Sequence, residues 1–218
     1  MLMSDRIFDV LMRERKYIDS PKFVINGSIW KNKINSCIVT DINGESVFKY
    51  CKKNPFIYEG YIEQLDSSQN KEYHILEIEG IGRVGVGICK DLLDENIKLF
   101  HKAIGTDLLI VPAYSKSMDL KSSAEDLSKE YNCVVVVANA CAALESNANA
   151  YEENRRIGFI TVPAKCATDR SKIIKMYTQG GCYNTCEKEC KVKKIVIDFE
   201  DIQECEDKIS YSIEETSF

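Results

Sequence analysis

Cys89 closes the apolar run Arg83 to Ile88, in Val84-Gly85-Val86-Gly87-Ile88-Cys89-Lys90-Asp91, and a helical stretch follows it. A thiol at a strand end, beside the free N–H groups of a helix start, is held up to a substrate and near positive potential. That is the placement of a nucleophile, and it makes a cysteine hydrolase the leading reading. Such a thiol attacking an amide or nitrile carbon needs a base, because a free cysteine is mostly protonated at neutral pH. It needs N–H groups or a cation for the developing anion, and a group that protonates the leaving nitrogen.

Two of these needs have candidates. Lys52, in Tyr50-Cys51-Lys52-Lys53-Asn54-Pro55-Phe56, follows a strand and is placed to act as an electrostatic clamp, with Lys53 the alternative if the register slips. Glu59, seven residues on in Tyr58-Glu59-Gly60, is the candidate carboxylate to hold that lysine or move a proton. The backbone N–H of Lys90 would complete an anion site, and Asp91 would orient the turn. The bland readings are a buried structural thiol for Cys89 and a solvated surface pair for Lys52 and Glu59.

The elements that must position these groups follow from periodicity and turn residues. Ser4 to Lys16 has helical spacing. Phe23 to Ser28 reads as a strand running into a loop, with Trp30 packing near it. Ser36–Thr40 and Ser46–Tyr50 flank Asn43-Gly44, a hairpin signal because both residues tolerate positive φ. Lys52 to Gln64 reads as irregular. Tyr73–Glu79 and Arg83–Ile88 form a second hairpin. Leu92–Ile104 is a helix closed by Gly105. Asp107–Val111 is a strand that stops at Pro112, Leu120–Tyr131 a helix, and Cys133–Val137 a strand covered on both faces. Ile157–Val162 and Lys194–Phe199 are further strands. The acidic tail after Asp201 is expected to pack poorly. Hairpins mixed with β–α–β alternation predict an α/β fold in a single domain spanning 1–218.

The order of these segments resembles the nitrilase (carbon–nitrogen hydrolase) superfamily over most of the chain. Gly27-Ser28, then Asn35-Ser36, Asn43-Gly44 and Tyr50-x-Lys52 are similar to its early succession. The segment from Val84 to Asp91 is similar to its nucleophile strand, and Gly105-Thr106-Asp107 through Pro112-Ala113 to the element that follows. Val137-Ala138-Asn139-Ala140 and Ile157 to Pro163 are similar to its last core strands. The resemblance implies a four-layer αββα sandwich and a Glu–Lys–Cys catalytic set without a required cofactor. It implies a thioester on Cys89, Lys52 as anion stabiliser, Glu59 as supplementary glutamate, a small amide or nitrile as substrate, and a homodimer.

One part of the pattern has no counterpart. The family's base glutamate ends a strand that precedes the helix matching Ser4–Lys16, and this sequence starts at the helix. Glu14 lies within that helix and is not assigned the role. The expectation is therefore a sandwich lacking the first β–α unit, with hydrolysis impaired, or a non-catalytic interaction module that keeps the fold.

Ten cysteines also raise a metal-binding alternative. Cys182, Cys186 and Cys190, in a Cys-rich insertion at about 166–190, are candidate ligands of a structural zinc, with Cys166 or Cys205 as fourth ligand. Cys37, Cys51, Cys133 and Cys141 read as core thiols, and His74 and His101 as structural. A net charge of −5 and a pI near 5.3 leave no basic stripe for nucleic acid. No apolar run suits a membrane span and no signal peptide is visible, so a cytoplasmic location is the default.

Overall fold

The structure, a computed structural model of the chain, describes residues 23–66, 68, 72–115, 119–139, 156–166, 169–177, 191–197 and 211–217. The expected helix at Ser4–Lys16, Glu14, Cys141 and the Cys182, Cys186, Cys190 cluster lie outside the described residues. The chain divides into two compact units, Met1–His74 and Ile75–Phe218.

The first unit is built on an antiparallel sheet. β3 (Ile34–Asp41) pairs with β4 (Ser46–Cys51) on one side. On the other side β1 (Phe23–Ile25) and β2 (Ile29–Lys31) lie one after the other along it. Gly27-Ser28 is the break between them, so β1 runs into a loop as expected and β2 is a further short strand. Trp30 is 54% exposed rather than packed beside that break. The β3–β4 turn is where the Asn-Gly signal placed it. Asp41 Oδ1 accepts from the N–H groups of Asn43 and Glu45, both at 2.8 Å, and Gly44 takes φ 85°. Cys37, Val39 and Tyr50 form the buried face.

The 52–64 segment is not irregular. β5 (Ile57–Tyr58) and β6 (Tyr61–Ile62) make a two-residue hairpin. Its turn residues are Glu59 at φ 43° and Gly60 at φ 83°, as a type I′ turn demands.

The second unit carries a six-stranded mixed sheet in the order β12-β11-β10-β9-β8-β7. β7 (Ile75–Ile78) and β8 (Gly82–Val86) are the expected antiparallel hairpin. β8, β9 (Leu108–Ala113) and β10 (Val134–Asn139) are mutually parallel. β11 (Arg156–Cys166) and β12 (Asp169–Tyr177) add antiparallel edges. With α1 (Glu95–Ile104) and α2 (Asp119–Tyr131), this is an α/β fold.

β9 runs through Pro112 instead of stopping there. Gly87 N–H donates to Ile110 O, so alternate residues of β9 turn their backbone toward β8. β8 pairs no further than Val86 with Ile110, so the missing N–H of Pro112 falls where no strand needs it. The tail after Asp201 is also structured in part. β14 (Tyr211–Ser217) pairs with β13 (Lys191–Ile197), and the register sets Lys193 opposite Glu215 and Lys194 opposite Glu214.

His101 on α1 is buried against β8. Its Nδ1 meets Thr106 Oγ1 at 3.0 Å, its Nε2 has no partner among the described residues, and a Cβ on Gly85 would lie 2.6 Å from its ring. Lys98 and Asp91 line the same crevice. Burial holds the imidazole down at about 4, against an ordinary 6.5. Since the unfolded chain takes up this proton first, His101 contributes stability above pH 6.5 that is lost as the pH falls through about 4. That loss is worth up to about 3 kcal/mol. Thermal melts between pH 7.5 and 4 should show it, and His101→Gln should flatten the dependence in that window.

Candidate active site

Cys89 sits where the second unit's sheet ends. β8 leaves the sheet after Val86, Ile88 is still extended, and Cys89 turns to φ 50° at the start of a 3-10 turn, Cys89–Leu93. The expected helix from Leu92 is thus two pieces. Asp94 restarts it, capping α1 through the N–H groups of Asn96 (2.8 Å) and Ile97 (3.1 Å).

A left-handed backbone at a residue with a Cβ costs about 1–2 kcal/mol and persists only where its surroundings hold it. Asp91 does the holding. It is fully buried; its Oδ2 accepts from Ile88 N–H and its own N–H donates to Ile88 O, both at 3.0 Å. Cys89 Sγ points toward Tyr114 O, 3.9 Å away, just beyond the end of β9. The carboxyl ends of adjacent parallel strands are where open α/β sheets bind ligands. A strained nucleophile on a strand-to-helix turn is also the geometry of the nucleophile elbow in hydrolases.

Cys89 is itself buried, at 7% exposure, as are Cys37, Cys51 and Cys133. Burial pushes Cys37 up to about 12, and its Sγ lies 2.8 Å from Asn26 O. Burial likewise pushes Cys133 far up, with Asp107 adding to it. Both are core thiols with little thiolate at neutral pH. Cys51 is buried in β4.

Lys52 belongs to the first unit. It is 3% exposed at the end of β4, and its N–H donates to Asn35 O at 2.7 Å. Its Nζ is bound by Glu63 Oε2. Glu63 is itself buried. Its Oε1 accepts from Asn35 Nδ2 and its Oε2 from Phe56 N–H, each at 2.9 Å. Burial alone would raise the Glu63 carboxyl, but the hydrogen bonds from Lys52, Asn35 and Phe56 outweigh it and hold the group below its ordinary value.

The carboxylate that meets Lys52 is therefore Glu63, while Glu59 is exposed on the hairpin turn. The type I′ turn at Glu59-Gly60 folds the chain back so that Glu63 lands opposite Phe56, its N–H donating to Phe56 O at 2.8 Å. Lys53 is engaged elsewhere, donating to Glu72 O at 2.7 Å with its Nζ 4.1 Å from the Tyr73 ring centroid. Lys90 is half-buried in the first turn after Cys89. Among the described residues no three Cys, His, Asp or Glu side chains form a metal-holding group, and no helix is long and apolar enough to cross a membrane.

No family model and no curated protein matches the chain. Solved structures do. One is a mutant of the amidase from Nesterenkonia sp. AN1 carrying the acetamide moiety of fluoroacetamide on its active-site cysteine, at 15% identity and TM-score 0.44. The match covers 63% of this chain and 54% of that one. Nit3 from Saccharomyces cerevisiae, a member of branch 10 of the nitrilase superfamily, is 15% identical with TM-score 0.45, over 71% of this chain and 57% of that one. The glutamine-dependent NAD+ synthetase from Acinetobacter baumannii is 17% identical with TM-score 0.46, over 62% and 27%. The chain thus spans little more than half the length of the amidase and Nit3, and about a quarter of the synthetase.

Proposed function

We propose that this chain cleaves a non-peptide C–N bond of a small amide, with Cys89 as the nucleophile. The observation that carries the reading is the left-handed backbone of Cys89 at the end of β8, held there by buried Asp91.

In this reading the Cys89 thiolate attacks the amide carbon and a C–S bond forms. The tetrahedral anion takes a hydrogen bond from the Lys90 N–H, and the sequence resemblance implies Lys52 as its stabilising cation. Collapse breaks the C–N bond, the nitrogen leaves as ammonia or an amine with an added proton, and water then converts the thioester to a carboxylate and free thiol. Glu63 takes the supporting role that the sequence resemblance assigned to Glu59, keeping Lys52 in place. Cys89 and Lys52 belong to different units, and their joint action rests on the motif order of the chain.

A non-catalytic module that keeps the fold is the second reading, and it predicts that no simple amide is turned over even with Cys89 accessible.

Alkylation separates the two site assignments for Cys89. Treatment of the folded chain with substoichiometric iodoacetamide at pH 7, followed by peptide mass mapping, should modify Cys89 well ahead of Cys37 and Cys133. Modification of Cys89 no faster than those two would make it a core thiol and remove the basis of the proposal.

A further inference from the structure

Asn35 touches both members of the buried Lys52–Glu63 pair. Its backbone carbonyl accepts the Lys52 N–H at 2.7 Å, which fixes where the lysine leaves β4. Its side-chain Nδ2 donates to Glu63 Oε1 at 2.9 Å. That bond occupies one carboxylate oxygen and leaves Oε2 to Lys52 Nζ and the Phe56 N–H. The orientation of the Asn35 amide follows from its partner, because the reverse orientation would set an oxygen against a carboxylate. Its own Oδ1 is buried without a partner among the described residues.

We propose that Asn35 is a positioning residue, whose side-chain amide orients Glu63 so that Glu63 holds Lys52 in one place. The proposal rests on the reading of Lys52 as the cation of the reaction, and it adds the residue through which that cation is aimed. Asn35 acts through Glu63 and has no contact with the reacting atoms.

Two readouts test it. In the chain labelled with ¹³C at glutamate carboxyls, Glu63 should titrate below the exposed glutamates. In Asn35→Ala its midpoint should move up, and in Asn35→Asp, which adds a second carboxylate beside it, further still. In turnover, Asn35→Ala should lower kcat by about tenfold or more with little change in KM. The acid limb of the pH profile should move with the Glu63 midpoint. A structural role would lower thermal stability and leave the limb where it was. If Asn35→Ala is folded and Glu63 titrates as in the unaltered chain, the proposal is wrong. Should neither variant fold, the unaltered chain still decides: the Asn35 Nδ2 proton must shift along the Glu63 titration, and an indifferent one overturns the proposal. Cys89→Ala is the separate control. Turnover surviving in it defeats the proposed reaction, whereas the Glu63 titration continues to judge Asn35.

Discussion

Cys89→Ala is expected to abolish acyl transfer from simple amides, by on the order of 10⁴-fold or more, because removing the nucleophile of a concerted set removes nearly all of its effect. The assay that reads this best is hydroxamate formation from an amide plus hydroxylamine. Hydroxylamine attacks the thioester without a base to activate it, so this reaction does not depend on the base that hydrolysis by water needs. The unaltered chain should therefore make hydroxamate faster than it makes carboxylate. Equal hydroxamate yield from Cys89→Ala would end the nucleophile assignment. No hydroxamate from the unaltered chain with any of a panel of aliphatic amides would favour the non-catalytic module.

The same position makes an opposite prediction for stability. Cys89 bears a left-handed backbone that glycine adopts freely. Cys89→Gly is expected to melt higher than the unaltered chain, by an amount corresponding to about 1 kcal/mol, while losing all acyl transfer. Stability that rises as activity vanishes is the signature of strain kept for function. A Cys89→Gly variant that melts lower would mean that the thiol contributes packing exceeding the strain.

What could be read from the sequence was set by punctuation. Asn43-Gly44 marked a turn because only residues at ease with positive φ close it, and the structure finds Gly44 at φ 85°. Gly105 marked the end of α1, and it is the left-handed cap whose N–H bonds back to His101 O and Lys102 O. Thr106, which follows, bonds back to His101, and Asp107 carries the long-range bonds. Asp107 alone joins Arg83 on β8 and Val134 at the start of β10. That explains why a short string of residues was diagnostic of a larger arrangement.

The Lys52 partner was illegible for the converse reason. Its distance in sequence depends on how many residues the intervening hairpin consumes. Glu59-Gly60 lacks the asparagine or aspartate that advertises a type I′ turn, and the strands beside it are two residues each. β14 was missed because Glu214 and Glu215 are poor strand formers taken singly, and only the pairing with β13 makes them a strand. In both cases a non-local partner overrides local preference.

The buried pair itself gives the second large effect. Lys52→Met leaves Glu63 as a buried carboxylate with two of its three hydrogen bonds, from Asn35 and Phe56. Glu63→Leu removes the carboxylate that meets the buried Lys52 ammonium and that accepts from the Phe56 N–H and Asn35 Nδ2. Breaking a buried ion pair from one side costs about 3–5 kcal/mol. Lys52→Met is expected near the lower end and Glu63→Leu near the upper, by urea unfolding. The double variant removes both charges at once and should cost less than the sum of the singles by about 2 kcal/mol or more. Strict additivity would show that the two groups are solvated and independent. The pH dependence gives an internal check. Glu63 is held below its ordinary 4.5, so its contribution is whole above that pH and is lost as the pH falls through its lower folded value. Lys52→Met removes one of the causes of that depression, so acid should destabilise the variant less steeply than the unaltered chain below pH 4.5. The His101 window lies higher, between 6.5 and about 4, so the two groups can be told apart in one series of melts.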